Sequence, residues 1–410
     1  MAGGSTSNRK RRRSRKPNPA AQLTDDLLVE ILARVPYRSL CRFRCVSTRW
    51  RALISDPDNR GRLPQTLAGF FNIEPTPGGA PHSTPTRYSF AASNRYSFAG
   101  VPGAGGAPPL IHPFLSFLPD REREHLVLVN SCNGLLCRCY RFPDEDEFDY
   151  LVIDPATEEW VAVPVPWRWS ALVAMVGLGC DPAFSSHFHI FEFQVDAGGD
   201  DNDDHDGDGY VLAVKIYSSA MGLWSCKKTG WSSGIMPRGD SSSVFVNGMM
   251  YFLAVFGFIG AVDVEGKTRR IIDCSEDSSF CSPAGFIHLS QGRLHLATGH
   301  DELSDKLEIW VLEDKDSEEW TLKHMISFNH LVRKKQVSYG FHDFSVVAFH
   351  PDRNMVFFVF GHHKKSLMSY DMDSRRVHTI HNLGRCGYKK FLPYVPLFSK
   401  SLPGGGNGSQ

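Results

Sequence analysis

The most strongly patterned segment of the chain reads Leu23-Thr-Asp-Asp-Leu27-Leu28-Val-Glu-Ile31-Leu32-Ala-Arg-Val35-Pro36-Tyr-Arg-Ser39-Leu40-Cys-Arg-Phe43-Arg-Cys45-Val46-Ser-Thr-Arg-Trp50-Arg-Ala-Leu53-Ile54-Ser-Asp56-Pro57. The apolar residues from Leu27 to Val35 recur at three- and four-residue steps, so they are predicted to lie on one side of a helix. Thr24 and the two aspartates after it are typical of a helix start, where a side chain caps the backbone and negative charge is stabilised. Pro36 ends this helix, because a helix rarely continues through a proline.

Two more short helices are predicted in the same segment. Ser39 can cap the second helix, Ser47 can cap the third, and Asp56-Pro57 closes the third. Three short helices in about forty residues enclose a very small core, and domains of this size are marginal without oligomerisation or a partner. The apolar surplus therefore predicts a docking surface.

This segment resembles the F-box, a helical module that binds a Skp-type adaptor and recruits a substrate receptor to a cullin-based ubiquitin ligase. The resemblance rests on the Leu-x-x-x-Leu-Leu start at Leu23, the Arg-Val-Pro helix end at Pro36, and the Arg-Cys-Val-x-x-x-Trp-x-x-Leu-Ile signature from Arg44 to Ile54. The chain departs from the family pattern at Thr24, where proline is usual, and at Ser47, where many plant members have a second cysteine. Neither departure removes an apolar anchor.

The resemblance implies that some of the apolar residues of the F-box form its small core and that others lie in the adaptor groove. The sequence does not show which residues take which role. The residues expected in these two roles are Leu23, Leu27, Leu28, Ile31, Leu32, Val35, Pro36, Leu40, Cys45, Val46, Trp50, Leu53 and Ile54.

The composition bounds the rest of the protein. Hydrophobic residues make up 42% of the 410-residue chain, which is enough for a large core. The chain has 45 Lys plus Arg and 45 Asp plus Glu, so its net charge is zero. As a whole it therefore has no positive electrostatic potential that would attract nucleic acid or an anionic membrane. The ten cysteines include no Cys-x-x-Cys pair, and the N-terminus shows no secretory signal. These features indicate an intracellular protein with reduced thiols, in the nucleus, the cytoplasm or both.

Residues 1–22 are predicted to be a disordered basic tail. Seven of the eight residues from Arg9 to Lys16 are Lys or Arg, which is typical of a nuclear-import signal, a nonspecific polyanion contact or a solvated tail. The residues of the possible import signal are Arg9, Lys10, Arg11, Arg12, Arg13, Arg15 and Lys16.

The composition changes after the F-box, which is assigned to residues 23–62. Residues 63–110 are rich in Pro, Gly, Ser and Ala and are predicted to be a linker. From residue 111 to residue 401, short runs of aromatic and β-branched residues alternate with turns, which predicts an all-β domain. Residues 402–410 are predicted to be a disordered tail.

Two elements recur through the β-domain. One is an apolar run broken by a turn, as at Asn133-Gly134, Asn247-Gly248 and Gln291-Gly292. The other is a strand that ends in a polar turn and often leads to tryptophan, as from Asp154 to Trp160 and from Ile216 to Trp224. This repetition favours a β-propeller of about six blades with tryptophans packed between neighbouring sheets, and a β-sandwich remains the alternative.

The β-domain also resembles the F-box-associated domain of plant F-box proteins. The matching stretches are Val129 to Cys137, Asp154 to Pro164, Val346 to Phe357 and Phe391 to Phe398. Each stretch is loose by itself, but their order after an F-box is specific.

Several patterns in the β-domain predict turns or loops rather than sites. The segment from Ala261 to Thr268 misses a phosphate-binding loop by its first glycine and precedes a predicted strand, so it predicts a hairpin turn. The acidic run from Asp200 to Asp208 is similar to the first half of a calcium loop, but Lys215 stands where an EF-hand has glutamate. The uncharged run from Ser241 to Val262 contains the Asn-Gly turn signal and predicts a buried hairpin rather than a membrane span.

Metal and catalytic signatures are weak. The cysteines at 132, 137 and 139 fit no common zinc spacing, and the histidines at 187, 189, 362 and 363 are not placed at ligand spacing from any Cys or carboxylate. The chain contains no Gly-x-Ser-x-Gly and no His-Glu-x-x-His motif. The sequence therefore predicts no catalytic residue, no metal and no cofactor.

The resemblance implies a non-catalytic substrate receptor of a Skp-cullin-F-box ubiquitin ligase. Such a protein docks a Skp-type adaptor, and through it a cullin ligase, with the F-box, and holds a substrate protein at loops on one face of the β-domain. Catalysis by proximity then belongs to the ligase partners. The alternative is a β-propeller protein- or glycan-binding module that acts outside any ligase and uses its helical head only for attachment. Neither interpretation includes a membrane or a specific nucleic acid, and adaptor binding separates the two.

Overall fold

The chain divides into two units, residues 1–64 and residues 65–410. The first unit contains helix α1 (Asp25–Ala33) and helix α2 (Thr48–Ser55), and residues 39, 40 and 43 between them are also helical. This computed structural model describes residues 23–35, 39–40, 43, 46–56, 59, 63, 67–74, 95–101, 115–118, 126–141, 148–165, 172–181, 185, 187–195, 211–231, 235–238, 243–254, 257–267, 269–273, 285–299, 306–313, 319–332, 344–361, 364–384, 391–396 and 402.

The second unit consists of six antiparallel sheets. Blade 1 contains β3 (Leu126–Cys132), β4 (Leu135–Arg141), β5 (Phe148–Asp154) and β6 (Glu159–Pro164). Blade 2 contains β7 (Leu172–Cys180), β8 (Phe188–Val195), β9 (Val211–Ser218) and β10 (Leu223–Lys228). Blade 3 contains β11 (Ser243–Val246), β12 (Met249–Leu253), β13 (Phe258–Asp263) and β14 (Arg269–Asp273).

The remaining sheets complete the set. Blade 4 contains β15 (Phe286–Ser290), β16 (Arg293–Gly299), β17 (Lys306–Leu312) and β18 (Trp320–Ser327), and a short helix α3 (Phe328–Val332) follows it. Blade 5 contains β19 (Phe344–Phe349), β20 (Met355–Phe360), β21 (Lys365–Asp371) and β22 (Arg376–Gly384). Blade 6 has three strands in the order β2 (Arg95–Gly100), β1 (Gly69–Glu74) and β23 (Phe391–Tyr394).

The six blades form a closed ring. The innermost strands contact one another in the cycle β3, β7, β11, β15, β19, β23 and back to β3. In blades 1 to 5 each of these strands begins its blade, and each following strand lies farther out, whereas the inner strand of blade 6 is β23, the last strand of the chain. A closed cycle distinguishes a propeller from a two-sheet sandwich. The prediction of an all-β domain that is a propeller of about six blades is therefore confirmed.

Blade 6 closes the ring by joining the two ends of the β-domain. β23 pairs with β1 in antiparallel register, from Gly69 opposite Tyr394 to Asn72 opposite Phe391. The side chains of Phe70 and Phe71 point to opposite faces of β1 and are both fully buried, one in the cluster shared with blade 5 and the other in the cluster shared with blade 1. Both faces of this strand therefore hold neighbouring blades together.

This arrangement corrects two predicted boundaries. The stretch from 63 to 110 is not only a linker, because β1 and β2 lie within it and form two of the three strands of blade 6. These strands are short and are flanked by Pro- and Gly-rich segments, so the alternation of apolar and polar residues that indicates a strand is weak. Leu402, which was assigned to the C-terminal tail, is 5% exposed and packs in the cluster shared by blades 1 and 2.

The predicted turn signals connect the first and second strands of three blades. Asn133-Gly134, Asn247-Gly248 and Gln291-Gly292 all have positive φ at both residues, which is the backbone of a type I′ hairpin turn. The Asn247-Gly248 turn joins β11 and β12, with Val246 opposite Met249, so the predicted hairpin within the uncharged run is confirmed. Within the described residues, no helix has the length and apolarity needed to cross a membrane.

Aspartates shape the turns between the third and fourth strands. The Asp154, Asp263 and Asp371 Oδ1 atoms each accept two backbone N–H groups from the following turn, at 2.8–3.4 Å. These are local side-chain-to-backbone turns that aspartate favours. The hairpin turn predicted for the segment from Ala261 to Thr268 is thereby confirmed, since β13 and β14 pair on either side of it.

Tryptophans and inner-strand side chains connect neighbouring blades. The Trp224 Nε1 of blade 2 donates to the Pro164 carbonyl of blade 1 at 2.9 Å. Near the centre, the Asn130 side chain of β3 donates to the Val176 carbonyl of β7 at 3.3 Å and to the Ser243 hydroxyl of β11 at 2.9 Å. Buried polar groups held in this way fix the relative position of three blades, because leaving them unpaired costs free energy.

The alternating strand directions separate two faces of the propeller. The short turns after the first and third strands of each four-stranded blade lie at one face. The second and fourth strands of these blades end at the opposite face, and the segments that follow them include residues 196–210, 274–284 and 333–343, which lie outside the described residues. The predicted loop from Asp200 to Asp208 belongs to the first of these segments.

A histidine at the short-turn face is held in its neutral form. His350 is 5% exposed, and its Nδ1 accepts the Asp352 backbone N–H at 3.1 Å. Burial, with a smaller effect of the Arg353 charge, lowers the pKa of His350 to about 4. Protonation would remove the acceptor and place a charge in a buried position.

We expect the β-domain to need β23 for stability. A chain truncated after Lys390 loses the strand that carries the buried Phe391, Leu392 and Tyr394 side chains. Burial of each such side chain contributes about 1.5–3 kcal/mol, so the loss amounts to about 4.5–9 kcal/mol and is comparable with the total stability of a typical domain. Thermal unfolding followed by circular dichroism, beside a chain truncated after Leu402, measures the effect. Equal melting temperatures for the two truncations would contradict closure by β23.

We expect His350 to make the fold less stable in acid. Its folded pKa of about 4 lies below the ordinary value of about 6.5, so its neutral form favours the folded state above pH 6.5, and this contribution is lost as the pH falls toward 4. Between pH 7 and pH 5 the loss amounts to about 2 kcal/mol. In the His350→Asn variant, an amide oxygen replaces the Nδ1 acceptor without titrating, so its unfolding free energy should fall less over that range.

The control is His381→Asn, because His381 is exposed on β22. Urea unfolding of the three proteins at pH 7 and pH 5 gives the comparison. The buried Asp154, whose pKa burial raises to about 6, opposes the histidine effect in all three proteins, so its contribution cancels from the difference. An unchanged pH dependence in His350→Asn would contradict the assignment.

Candidate functional site

The helical unit has a small apolar core. α1 contributes three buried side chains, α2 contributes two, and residues 40 and 63 contribute one each. These buried residues are Leu28, Val29, Leu32, Leu40, Leu53, Ile54 and Leu63. Seven side chains among the residues that the structure describes make a small core, so the stability of this unit depends strongly on its caps and on any partner.

Both positions at which the chain departs from the F-box pattern are helix caps. The Thr24 hydroxyl accepts the Leu27 backbone N–H at 3.5 Å at the start of α1. The Ser47 hydroxyl accepts the Trp50 backbone N–H at 3.1 Å at the start of α2. Each residue satisfies a donor that the helix itself leaves unpaired, which is worth about 1 kcal/mol.

Arg49 ties the start of α2 to the start of α1. Its guanidinium donates to the Asp25 carboxylate at 2.8 Å and to the Leu23 carbonyl at 2.7 Å. The ion pair is exposed, so its own contribution is about 1 kcal/mol or less. Its role is to set the relative orientation of two helices that share few buried contacts.

The outer surface of α1 carries large apolar side chains. Leu27 is 53% exposed and Ile31 is 43% exposed, and they lie one turn apart on the same side of the helix. Val46, just before α2, is 61% exposed. We call Leu27, Ile31 and Val46 the exposed apolar set. Large apolar groups exposed on so small a unit are typical of a protein-binding surface.

The single apolar side predicted for α1 is therefore divided into two stripes. Leu28 and Leu32 face the core, whereas Leu27 and Ile31 face outward, about 100° around the helix from them. The periodicity predicts the helix but does not show which stripe is inside, because adjacent apolar pairs widen the stripe beyond one face.

The other predicted F-box residues take intermediate positions. Leu23, Val35 and Trp50 are half-buried, and the Trp50 ring packs edge-to-face on Phe43 with centroids 5.1 Å apart. Pro36, Cys45 and the basic residues from Arg9 to Lys16 lie outside the described residues. The site prediction did not include Val29, Phe43, Arg49 or Leu63. Val29 and Leu63 are apolar, so a less strict search for apolar residues in this segment would have included them. No sequence pattern indicates that the Arg49 side chain hydrogen-bonds to the Leu23 carbonyl.

In the β-domain, the most deeply buried carboxylate is part of an inter-blade network. Glu192 on β8 is fully buried and lies 3.8 Å from the Lys215 amine of β9. Its carboxylate also accepts the Tyr150 hydroxyl of blade 1 at 3.3 Å and the Gln194 amide at 3.2 Å. Burial lowers the pKa of Lys215, and the Glu192 charge opposes that shift. A carboxylate held by three partners acts as a structural link between blades 1 and 2.

The cysteines and histidines considered as metal ligands in the sequence do not form a metal site among the residues that the structure describes. Among the described residues, no group of three or more His, Cys, Asp or Glu side chains could hold a metal ion. Burial lowers the pKa of His189 to about 4, and its ring packs near Phe191 and Phe245. It is therefore neutral and part of the apolar packing at physiological pH. The acidic run from Asp200 to Asp208 and His362-His363 lie outside the described residues.

Comparison with known proteins supports the same division of the chain. A sequence profile of the F-box domain matches residues 21–60, and a profile described as "F-box protein At3g26010-like, beta-propeller" matches residues 106–389. The Arabidopsis thaliana F-box protein At5g07610 is 24% identical over 325 residues, covering 75% of this chain and 71% of that protein. The F-box protein At5g49610 of the same plant is 26% identical over 328 residues, covering 75% and 79%.

A third relative spans more of the chain. The Arabidopsis thaliana F-box protein At3g26010 is 21% identical over 374 residues, covering 88% of this chain and 79% of that protein. The propeller profile alone covers well over half of the chain, and its range contains blades 1 to 5. Together with the helical unit and the closed six-bladed ring, these matches show that the chain belongs to the plant-type F-box proteins with an At3g26010-like β-propeller.

Proposed function

We propose that this chain is the substrate-recognition subunit of a Skp-cullin-F-box ubiquitin ligase. The exposed apolar set carries the proposal, because Leu27, Ile31 and Val46 leave large apolar side chains uncovered on a unit whose described residues form a small core. Docking of a Skp-type adaptor would remove these side chains from water. Burial of each large apolar side chain contributes about 1.5–3 kcal/mol, which is enough for two or three of them to dominate the affinity.

The two units then have separate tasks. The F-box attaches the protein to the adaptor, and through it to a cullin, while the propeller holds a substrate protein. The chain supplies no chemical group, since the ligase partners carry out ubiquitin transfer and the receptor raises the local concentration of the substrate. The long connections at one face of the propeller suit substrate recognition, because binding residues concentrate on loops held by a rigid scaffold.

We expect the Leu27→Ala/Ile31→Ala variant to lose adaptor binding while remaining folded. Both side chains are exposed, so their truncation removes contact area for the adaptor but little core packing. A loss of about 3 kcal/mol corresponds to a weakening of more than 100-fold in the dissociation constant. Titration of a purified Skp-type adaptor onto the full chain by isothermal calorimetry measures the change.

Two variants in the same helix separate docking from folding. Asp26→Ala changes an exposed residue about 100° around α1 from Leu27 and should bind the adaptor as the unchanged protein does. Leu28→Ala removes a buried side chain and should lower the melting temperature of the F-box unit. Full adaptor binding by Leu27→Ala/Ile31→Ala would remove the exposed apolar set from the interface. No adaptor binding by the unchanged chain would favour a propeller module that acts outside a ligase.

We also propose that the basic residues from Arg9 to Lys16 direct nuclear import. Seven cations in eight residues suit recognition by an import receptor. Fusion of residues 1–22 to a fluorescent protein too large for passive entry should move it into the nucleus of plant cells. Replacement of Arg11, Arg12 and Arg13 by alanine should return it to the cytoplasm, and an unchanged distribution would leave this segment as a solvated tail.

A further inference from the structure

The two most exposed large apolar side chains among the described residues lie in the β-domain rather than in the F-box. Met221 is 68% exposed and Leu223 is 66% exposed. They stand on either side of Gly222, where the turn between β9 and β10 meets β10 at the short-turn face of blade 2. Large apolar groups that lie next to each other in water are typical of an interaction surface.

The described turns between the third and fourth strands of other blades have polar tips. Glu158 in blade 1, Glu265 in blade 3 and Asp373 in blade 5 are the exposed counterparts in these turns. The apolar residue of the blade 5 turn, Met372, is only 7% exposed. Because polar tips close the same kind of turn in these blades, the fold of blade 2 does not itself require an exposed Met221.

Hydrogen bonds hold the blade 2 turn in one conformation. The Ser218 carbonyl accepts the backbone N–H groups of Met221 at 3.2 Å and Gly222 at 2.8 Å. Ser219 ties the turn to β8, since its N–H donates to the Phe188 carbonyl at 3.0 Å and its hydroxyl accepts the Phe188 N–H at 2.9 Å. Gly222 has a φ of 67°, which glycine adopts without strain. The apolar side chains at this turn are therefore preorganised, which lowers the entropy cost of binding.

A lysine extends the exposed row along β10. Leu223, Ser225 and Lys227 lie two residues apart, so their side chains project to the same face of the strand. Their three partners on β9 are uncharged, so no carboxylate of β9 lies beside them on this face. From Leu223 to Lys227 the row is about 13 Å long. We call Met221, Leu223 and Lys227 the blade 2 corner.

The Lys227 side chain lies against blade 3 and keeps its charge. A Cβ atom at Gly266 would lie 2.7 Å from the Lys227 Cγ, so glycine at this position makes room for the lysine stem. Glu265 pairs with Lys267, and the Asp263 Oδ1 accepts two backbone N–H groups of its own turn. Among the ion pairs between described residues, none includes Lys227, so its charge is available to a ligand.

We propose that the blade 2 corner binds an extended, acidic segment of a partner protein that carries large apolar side chains ahead of a carboxylate. The apolar side chains would cover Met221 and Leu223, and methionine adapts well to irregular partner surfaces. A carboxylate four residues farther along would reach Lys227, because an extended chain spans about 13 Å in four residues. The corner lies at the short-turn face, so this interaction is separate from substrate recognition at the long connections and does not rest on the ligase role.

A protein segment suits the corner better than a lipid surface does. Reversible membrane attachment generally combines a larger apolar area with a cluster of cations. The blade 2 corner has two apolar side chains and one cation, and the exposed Glu265 adds a negative charge next to Gly266. Lys228, the other lysine at the end of β10, projects to the opposite face of the strand.

The test uses the full chain and the fluorescein-labelled peptide Ser-Leu-Ser-Leu-Ser-Ser-Ser-Glu-Ser, followed by fluorescence anisotropy at about 100 mM salt. The peptide should bind with a dissociation constant below about 1 mM, and Met221→Ser/Leu223→Ser should weaken binding by about 10-fold or more. Both side chains are exposed, so this variant should keep the melting temperature of the unchanged protein. Absence of saturable binding by the unchanged protein would overturn the proposal.

Charge reversal tests the part of Lys227. Lys227→Glu should weaken binding of this peptide by about twofold to fivefold, a modest effect because the pair is exposed to water. The same variant should bind a peptide with lysine in place of glutamate more tightly than the unchanged protein does. Equal affinities of both proteins for both peptides would contradict pairing with a carboxylate and overturn the proposal.

Two control variants change comparable residues elsewhere on the propeller. Leu322→Ser/Met325→Ser removes two exposed apolar side chains on β18, and Lys306→Glu reverses an exposed cation on β17. Each should change the dissociation constant by less than about twofold. A loss equal to that of the corner variants would show nonspecific adsorption and overturn the proposal. Displacement of the peptide by phosphatidylserine vesicles, with loss of vesicle binding in Met221→Ser/Leu223→Ser, would assign the corner to a lipid surface instead.

Discussion

The pairing of β23 with β1 is the contact on which the β-domain depends. A row of separate four-stranded sheets would expose an inner strand at each end, with apolar side chains uncovered on both outer faces. The C-terminal strand removes both ends by pairing with a strand that lies more than 300 residues earlier in the chain. Because Phe70 and Phe71 then pack against different blades, one short strand seals two inter-blade clusters. The closed cycle of the inner strands follows from this closure.

The helical unit also gains stability by burying apolar side chains, but it leaves some of them exposed. The propeller covers its apolar faces with its own neighbouring blades, whereas the F-box has too few residues to cover both stripes of α1. Its caps at Thr24 and Ser47 and the reach of Arg49 hold the helices in place with little core. With the helices held in this way, Leu27 and Ile31 remain exposed in the folded unit. The apolar surplus that makes a small domain marginal is thus the property that suits it to a partner.

The sequence predicts local chemistry better than long-range pairing. Asn133-Gly134, Asn247-Gly248 and Gln291-Gly292 require positive φ, and Asp263 shapes its own turn, so these features are readable from neighbouring residues. The strand at Gly69 gives no comparable signal, because its partner lies at the far end of the chain. The side of blade 5 on which Arg376 lies also depends on long-range information, because it is fixed by the register of β22 with β21. In the F-box, helical periodicity predicts α1 but leaves the inner and outer stripes undetermined.

Closure by the last strand also imposes an order on synthesis. The F-box and β1 leave the ribosome first, and β23 follows only after about 290 further residues beyond β2. At translation rates of about 5–20 residues per second, the incomplete ring persists for roughly 15–60 seconds. During that interval β1 lacks its partner β23, and Phe70 and Phe71 lack the neighbouring blades that bury them in the folded protein. The whole F-box is therefore synthesised well before the ring of the β-domain can close.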